Sequence, residues 1–422
     1  MIRLILPVAL TVFLLATALS SLFFYKGLYT PPQAQLHPME KLLVPSPALA
    51  SYQDTYSVAP SRILIDKLHS NDFTSSELNV LVQRLSDRGA AIDFLRDSDE
   101  KTTDALENKL AQADALVVIS PWRAYTKEEA RIVRRFVDTG GRLLLVSEPT
   151  RKDNINSLAV EFGLTFRNDY LYNLKENEGI YHHVRFRDIE RTEVTRGLGE
   201  IVLFIVGSII PVERGIISGD DNTLSSLSEA KGRLAVAALS ADSHVLALGD
   251  LTFLTEPYNS YRDNNRFVSN IADFLTRGER TYYLRDFPSF LQRQVVIGYG
   301  DTTLLDSALT LKNLLTSAGH QVAIGQVSGA VVGGINLLLF DQTGSVSAFL
   351  SEAGITIGKE KVSIQNVGDF DREGRSVLYL SRAKKPYTLI LLADAQKAMG
   401  DMVANLKSGE FRNLMVSDAL MI

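Results

Sequence analysis

The sequence predicts an α/β protein in which an apolar N-terminal helix precedes two bodies, each built from a parallel sheet covered by helices on both faces. Three observations support this fold class. An uncharged run opens the chain, short apolar runs alternate with amphipathic stretches from residue 61 onward, and the same order of elements returns from residue 294. Strands that alternate with helices form right-handed βαβ units, and such units give parallel sheets.

The composition is that of an ordinary globular protein with two or three domains. The 422 residues are 45% hydrophobic and 22% charged, with a formal net charge of −5 and a pI near 5.8. This charge balance gives no general attraction to nucleic acid, so no nucleic-acid partner is expected. The absence of cysteine excludes disulfides, thiolate metal sites and a cysteine nucleophile. Six scattered histidines leave little material for a metal site, and no cofactor is expected.

The N-terminal run is long enough to be a membrane anchor. Between Arg3 and Lys26 lie 22 uncharged residues, LILPVALTVFLLATALSSLFFY. As a helix this run is roughly 33 Å long, which is enough to cross a bilayer core. Its aromatic end is typical of an interfacial anchor, whereas a cleaved signal has a shorter apolar region and a small-residue cleavage site. We therefore expect residues 1–26 to form an uncleaved single-pass anchor, with a cleaved signal as the alternative.

The charges around this run are nearly balanced and only weakly indicate its orientation. Arg3 favours a cytoplasmic N-terminus, whereas Lys26 and Lys41 oppose it. Because a short tail before an anchor usually stays in the cytoplasm, we expect the rest of the chain to lie on the extracytoplasmic side of the cell membrane. The other long apolar run, residues 201–210, is too short to span and is expected in a core.

Residues 27–60 follow the anchor and hold six of the thirteen prolines without a sustained period, which predicts a stalk. We expect the first α/β body over 61–278. It opens with the short buried strand RILID and a helix over about 75–88. A capping box of Thr74 and Glu77 marks the start of that helix. The strand AIDFL follows.

The same alternation continues along the first body. The strand ALVVIS (115–120) precedes a helix that a second capping box opens at Thr126 and Glu129. The glycines at 140–141 end that helix, and the strand LLLVS (143–147) follows. This order predicts a parallel sheet with helices on both faces.

The first body is expected to end with a hairpin and a helix. The runs RLAVAAL (233–239) and HVLALGD (244–250) are separated by a short polar turn and predict an antiparallel hairpin at the sheet's edge. The helix NNRFVSNIADFL (264–275) then closes the body. A connector over 279–293 is expected to lead to a second, smaller α/β body over 294–422.

The second body repeats the order of the first. A strand, an amphipathic helix, a glycine and a second strand follow each other, and the closing hairpin SVLYLSR/YTLILLAD precedes a final helix. The two openings match position by position: Leu81, Leu85, Gly89 and Ile92 correspond to Leu311, Leu315, Gly319 and Val322. An ancient duplication explains this match, and so does the general likeness of any two βαβ openings.

Three stretches of the first body resemble a known family: ILIDKLHSNDF, SPWRAYTKEEARIVRRFVDTGGRLLLVSEP and LALGDLTFLTEPYNSYRDNNRFVSNIADFL. They are similar to the membrane-anchored domain of unknown function 4350 family, whose relatives include extracytoplasmic subunits associated with gliding-motility-type ABC transporters. The most specific parts are Gly140-Gly141, Gly249-Asp250-x-x-Phe253 and Asn264-Asn265. The resemblance covers about 62–278, whereas 294–422 resembles only the general fold.

This resemblance implies a class I glutamine-amidotransferase-like, flavodoxin-like fold with three α/β/α layers. It also implies a non-catalytic or uncharacterised role beside AAA ATPase and von Willebrand-type components or transporters, and it supplies no agreed active site. Enzymatic amidotransferases of this fold use a cysteine with a histidine and a glutamate. Because this chain has no cysteine, amidotransferase activity by that route is excluded.

Asp66, His69 and Asp72 are the first candidate site. They follow the strand RILID, and the carboxyl ends of parallel strands are where ligands bind in open α/β folds. A carboxylate and an imidazole there are typical of ligand binding, of acid–base chemistry or of a metal site. The alternative is structural: Asp66 bonds loop backbone while His69 packs over the next helix.

Asp250 is the third tentative ligand-binding residue, with Asp66 and His69. It ends a strand in LALGD, and Gly249 before it permits a tight backbone. The structural interpretation is that Asp250 caps the following turn. If a ligand binds, we expect Asp66 and Asp250 on neighbouring strand ends to share its pocket.

Three other patterns are weaker candidates. Ser147-Glu148 imitates a nucleophile elbow, but the flanking glycines are absent and nothing local supplies a base for the serine. His182 and His183 are adjacent, so on a strand they face opposite sides and suit one ion poorly. Gly298-Tyr299-Gly300 lacks the third glycine and the lysine of nucleotide loops.

Trp122, Arg123 and Tyr125 are expected to contact a partner. Trp122 is the only tryptophan, and it follows Pro121 at the end of a buried strand. Aromatic residues and arginine are enriched at the hot spots of interfaces. Core packing is the alternative for this group.

The sequence thus favours a membrane-anchored, non-catalytic binding or scaffold protein, with a transporter or an AAA ATPase-associated membrane component as its partner. The alternative is a hydrolase or metal-dependent enzyme that uses Asp66 and His69. No metal-binding or catalytic residue is assigned under the first hypothesis.

Overall fold

The computed structural model describes residues 2–26, 52–96 and 102–422. The chain divides into two compact units, Met1–Ala48 and Leu49–Ile422. Most of the predicted stalk, residues 27–51, lies outside the described residues. The finer boundaries between stalk, first body, connector and second body stay predictions.

The first unit contains the apolar helix α1 (Ile2–Tyr25). Its segment Leu6–Tyr25 has a mean hydropathy of 2.1 and is exposed along its whole length. This helix is long and apolar enough to cross a membrane. A signal sequence near an N-terminus can meet the same criteria of length and hydropathy.

The second unit is built from strands and helices, which alternate at its start, whereas ten strands follow one another between the fifth and the sixth helix of the chain. Its helices are α2 (Ser75–Asp87), α3 (Thr102–Gln112), α4 (Lys127–Asp138), α5 (Asn156–Ala159), α6 (Asn264–Thr276), α7 (Leu305–Ser317), α8 (Ser347–Glu352) and α9 (Gln396–Ser408). Its strands up to the predicted connector are β1 (Ser61–Asp66), β2 (Ala90–Leu95), β3 (Ala115–Ile119), β4 (Arg142–Val146), β5 (Thr165–Phe166), β6 (Leu171–Asn173), β7 (His183–Phe186), β8 (Asp188–Ile189), β9 (Ile201–Phe204), β10 (Ile209–Ile210), β11 (Gly215–Ser218), β12 (Thr223–Ser225), β13 (Ala235–Leu239) and β14 (Val245–Leu248). The later strands are β15 (Gln294–Tyr299), β16 (Gln321–Gln326), β17 (Ile335–Leu339), β18 (Ile355–Ile357), β19 (Lys361–Ile364), β20 (Gly368–Asp371), β21 (Ser376–Ser381), β22 (Thr388–Ala393), β23 (Met415–Ser417) and β24 (Leu420–Met421).

The first large sheet has the order β2-β1-β3-β4-β14-β13-β10-β5, with β11 and β8 joined beside β13. The strands β2, β1, β3, β4 and β14 are parallel to one another, and β13 is antiparallel to β14. Apolar side chains pack on both faces, with α2 and α6 on one side and α3 and α4 on the other. The predicted α/β class is confirmed.

The second large sheet has the order β16-β15-β17-β22-β21-β24-β23. Its strands β16, β15, β17 and β22 are parallel, and β21 is antiparallel to β22. As in the first sheet, the second parallel strand lies at the edge beside the first, and the third lies on the other side of the first. The repeated order predicted from the sequence is therefore present in the structure.

The predicted hairpin of the first sheet forms, but its predicted position at the sheet's edge is wrong. The strands β13 and β14 pair with Ala237 opposite Leu248. However, β14 lies beside β4, and the sheet continues beyond β13 to β10 and β5. Both hairpin strands are almost entirely buried, because they lie inside the sheet.

Contacts in the structure explain Gly249 and Asn264, which belong to two of the motifs named above. A Cβ on Gly249 would lie 2.1 Å from the carbonyl oxygen of Gly207, so only glycine fits there. Asn264 is the first residue of α6, and the N-cap residue is Asp263. The Asn264 amide clamps β9, accepting from the Val202 N–H at 3.0 Å and donating to its carbonyl at 2.8 Å.

The segment before β1 is bound to the first sheet's helices. Asp54 lies 2.6 Å from Arg84, 3.1 Å from Arg88 and 2.6 Å from the Ser269 hydroxyl. The Arg88 side chain is fully buried and also contacts Asp273 at 2.7 Å. This network joins the described end of the predicted stalk to α2 and α6.

Candidate functional site

The candidate site lies where the order of the first sheet reverses, between the carboxyl ends of β1 and β3. In an open parallel sheet the loops after these two strands run in opposite directions and leave a crevice, which is where ligands usually bind. Asp66 is the last residue of β1, and Ser120 directly follows β3. Asp66 and His69 thus lie at the carboxyl edge of the sheet, as predicted from the sequence.

The two loops are paired with each other across this crevice. Asn71 and Pro121 form an antiparallel bridge. Two backbone hydrogen bonds form this bridge, Asp72 N–H to Ser120 O at 3.1 Å and Trp122 N–H to Ser70 O at 3.4 Å, and a third extends it, Arg123 N–H to His69 O at 3.0 Å. The protein's own loops thus close this crevice.

The buried side chain of Asp66 is hydrogen-bonded to groups on both loops. Its Oδ1 accepts a hydrogen bond from the Leu68 N–H at 2.9 Å. Its Oδ2 lies 2.8 Å from His69 Nδ1 and accepts from the Asn71 amide at 2.8 Å and the Tyr125 hydroxyl at 2.6 Å. The side chain has no exposed area. This carboxyl group therefore holds both loops and the start of the following helix.

His69 lies between two carboxyl groups. Its ring stacks on Tyr125 with 3.6 Å between ring centroids, and its Nε2 lies 3.5 Å from Glu129 Oε1 without a hydrogen bond. Asp66 and Glu129 approach opposite ring nitrogens, so the three groups do not converge on one ion. Among the described residues, no group of three His, Asp or Glu side chains is arranged to hold a metal ion.

The predicted contact group divides into a buried and an exposed part. Trp122 is 66% exposed and Arg123 is also exposed, as expected for a contact surface. Tyr125 is buried, so its expected place on that surface is wrong. Burial, together with the negative charges of Asp66 and Glu129, raises the pKa of Tyr125 well above its usual value. The phenol therefore stays protonated and donates to Asp66.

Asp250 does not share a pocket with Asp66, and that prediction is wrong. Two strands, β3 and β4, separate β14 from β1. Asp250 is fully buried and accepts hydrogen bonds from the N–H groups of Phe204 at 2.7 Å and Thr252 at 2.6 Å. Burial, and then the charge of Glu148, raises its pKa well above the usual carboxyl value.

Ser147 has a partner that sequence reasoning did not find. Its hydroxyl donates to Asp153 Oδ2 at 2.6 Å. Burial raises the pKa of Asp153, although the hydrogen bonds from Ser147 and Ser120 oppose this shift. Ser120 has a φ of 40°, an uncommon backbone conformation for a residue other than glycine. These groups fix the turn after β3 beside the turn after β4.

The adjacent histidines belong to a row of aromatic rings. The His182 and His183 rings meet edge to face at 4.9 Å, and His183 continues the row to Phe204 at 4.9 Å. On the other side, His182 contacts Tyr181 at 4.9 Å. Burial, and then the charge of His182, lowers the pKa of His183. The two rings thus pack with aromatic neighbours.

Two important acidic residues were missed as site residues. Glu129 was recognised only as a capping residue, yet it is buried and also faces His69. The sequence contains a signal for this burial. Glu129 precedes Val133 by four residues and Phe136 by seven, so all three lie on the buried face of α4. Glu148 was dismissed with Ser147, and only the strand order reveals that it lies beside Asp250.

One cavity lies away from these groups. It measures about 120 Å³ and lies between β1, β2 and α3, with Arg62, Asp93 and Lys109 among its lining residues. Typical small-molecule clefts measure roughly 300–1,000 Å³. None of the predicted ligand-binding residues lines this cavity.

Comparisons with known proteins identify no function. No protein-family model matches the chain, and no curated protein matches it. Similar solved structures include the "mmIFT52 N-terminal domain", with 18% identity, 52% of this chain and 99% of that chain covered, and a TM-score of 0.44. ThuA-like proteins from Bacteroides uniformis and Parabacteroides merdae match with 12% and 9% identity and TM-scores of 0.33 and 0.32. These matches cover 53% and 54% of this chain and 94% of each of those chains. The ThuA-like proteins have a class I glutamine amidotransferase-like fold.

Proposed function

We propose that the protein is a membrane-anchored, non-catalytic binding or scaffold protein that holds a partner through the loop after β3. In this proposal α1 stays in the cell membrane as a single-pass anchor and the second unit lies on the extracytoplasmic side. The partner is a component of a membrane complex or a transporter. The observation that carries the proposal is the closed crevice between β1 and β3, with an exposed tryptophan directly beside it.

The closed crevice supports a binding role over a catalytic one. A catalytic group must reach its substrate within hydrogen-bond distance. The Asp66 and His69 side chains have no exposed area, and three backbone hydrogen bonds hold the two loops together. Acid–base catalysis would require the two loops to separate and Asp66 to lose the hydrogen bonds that it accepts from the protein.

The loop after β3 presents its tip in a fixed conformation. The backbone N–H of Trp122 donates to the carbonyl oxygen of Ser70, and its backbone carbonyl accepts from the side-chain amide of Asn154. The side chain of Trp122 is 66% exposed. Large aromatic residues and arginine are the usual anchors of protein interfaces. Because the backbone is already held, binding through Trp122 and Arg123 costs little ordering entropy.

The proposal is tested by recovering partners of the full-length protein from membranes in mild detergent, with identification by mass spectrometry. Trp122→Ala is compared with Leu227→Ala, which truncates an equally exposed apolar side chain (68%) on another segment. The same membrane proteins should accompany the wild type and Leu227→Ala, but not Trp122→Ala. Repeated recovery of the protein alone, or equal recovery with both variants, would contradict the proposal.

A second candidate function is a hydrolase that uses Asp66 and His69. It is favoured by one observation, the buried Nε2 of His69, which has no hydrogen-bond partner and lies 3.5 Å from Glu129. Under this alternative His69→Gln abolishes the cellular phenotype of the protein while the purified variant stays folded. Under the binding proposal the same folded variant keeps both its partners and its phenotype.

A further inference from the structure

The strand β16 forms a free edge of the second sheet. In the described part of the chain it pairs with β15 and with no strand on its other side. The N–H groups of Gln321 and Val327 point inward, since they bond to Arg293 at 2.7 Å and Tyr299 at 3.0 Å. Because these directions alternate along a strand, the polar backbone groups of Val322 and Ile324 point outward.

The edge of β16 lacks the charges that usually protect a free edge. Its sequence, QVAIGQ, contains no charged residue. By contrast, β2 at the edge of the first sheet carries the exposed Asp93, which binds Lys109 at 2.8 Å. Charged side chains on an edge strand oppose pairing with another chain. Of these two edges, β16 is therefore the one suited to accept a strand.

The surroundings of β16 leave its edge accessible. The strands β2 and β3 of the first sheet are joined through α3, whereas the loop 327–334 joins β16 to β17 without a helix. Val296, which lies opposite Ala323 in the pairing of β15 with β16, is 45% exposed, and Ala323 is exposed as well. Val322 and Ile324 are partly buried against the core on the other face. In the described part of the chain, no helix between β16 and β17 covers the Ala323 face.

We propose that a second copy of this chain pairs with β16, antiparallel, about a twofold axis at Ala323. This register places Val322 opposite the partner subunit's Ile324 on both sides of the axis. Both residues turn their backbone groups outward, so they form hydrogen-bonded pairs of β-branched side chains, which are favourable cross-strand neighbours. A twofold axis at Ile324 would instead place Val322 opposite a glutamine.

The two Ala323 residues then face each other in a pair that lacks backbone hydrogen bonds, where the side chains approach most closely. Because the chain has no cysteine, a single introduced thiol reports this contact without background. Ala323→Cys in the full-length protein, oxidised in mild detergent, should run as a covalent dimer on a non-reducing gel. Ala91→Cys, an exposed position on the edge strand β2, should stay monomeric.

A second variant tests the same interface without a cross-link. Ala323→Lys places two like charges opposite each other, which opposes pairing, while its exposed position leaves the fold intact. Light scattering in detergent should give the mass of a dimer for the wild type and of a monomer for Ala323→Lys, with unchanged circular dichroism. A monomeric wild type, equal cross-linking of both cysteine variants, or a dimeric Ala323→Lys would overturn the proposal.

Discussion

At the scale of single residues, the hydrogen bond from Tyr125 to Asp66 directly joins the loop before α4 to the end of β1. It measures 2.6 Å and is fully buried. Tyr125→Phe removes the donor and should lower the free energy of unfolding by roughly 1.5 to 3 kcal/mol, the range for hydrogen bonds to charged groups. Urea unfolding of the purified protein measures this change.

Tyr282→Phe is the matched control for this prediction. Its hydroxyl lies 3.4 Å from Asp114 Oδ1 and is only partly buried. The control should lower the free energy of unfolding by less than about 1 kcal/mol, because a long and partly solvated hydrogen bond contributes little. Equal losses for the two variants would show that Tyr125 does not hold the closed crevice.

The carboxyl groups of Asp250 and Glu148 predict a pH dependence of stability. Burial and the charge of Glu148 raise the pKa of Asp250 in the folded state. The contribution of Asp250 to the free energy of unfolding is fully present below the pKa that this carboxyl group has in the unfolded state. It is lost as the pH rises through the raised pKa of the folded state. Glu148→Gln removes the neighbouring charge and should reduce this loss. Denaturant midpoints measured between pH 4 and 8 should fall less steeply for the variant, and identical slopes would exclude the coupling.

The candidate site shows how far single residues can be predicted. Asp66 and His69 were placed at the correct strand edge because an apolar run ends directly before them. Their contacts with Tyr125 and Glu129 join residues about sixty positions apart, and only the folded arrangement of β1 and β3 brings these side chains together. The burial of the whole group follows from that arrangement and has no local pattern in the sequence.

At the scale of secondary-structure elements, Asp54 binds the segment before β1 to α2 and α6. Burial alone raises its pKa, but hydrogen bonds from Ser269, Arg88 and Arg84 outweigh this and lower the pKa to about 2. A carboxyl group whose pKa is lowered by folding stabilises the folded state at pH values above its pKa in the unfolded state. This stabilisation is lost as the pH falls through the pKa of the folded state. The shift corresponds to about 2 kcal/mol.

Asp54→Asn should therefore lower the free energy of unfolding by about 2 kcal/mol at pH 7, and the difference from the wild type should vanish as the pH approaches 2. Asp93→Asn is the control, since its ion pair with Lys109 is about half exposed on both sides. It should change stability by less than about 1 kcal/mol. A constant difference for Asp54→Asn at every pH would be inconsistent with its lowered pKa.

Elements with a local signal were predicted correctly, and elements whose place depends on distant pairing were not. The capping boxes at Thr74 and Thr126 precede α2 and α4 as predicted. The hairpin of β13 and β14 was recognised from its two apolar runs. Its place inside the sheet depends on β10, a strand of two residues that pairs with β13, and so short a strand has no periodic signal.

At the scale of the whole molecule, α1 distinguishes an anchored protein from a secreted one. If it is an uncleaved anchor, the intact protein should stay in the membrane fraction through alkaline carbonate extraction, and its mass should include the N-terminal run. Release into the soluble fraction with a shortened N-terminus would identify a cleaved signal instead. Mass spectrometry of both fractions makes the distinction.

The central claim is that the crevice between β1 and β3 is closed by the protein's own paired loops. Amide hydrogen exchange of the full-length protein tests it directly, because exchange reports local opening. The amides of Asp72 and Arg123, which bridge the loops, should exchange as slowly as those of Ile65 and Val117 in the neighbouring strands. Exchange as fast as that of Ala241 in the exposed hairpin turn would contradict the claim and leave the crevice open to a ligand.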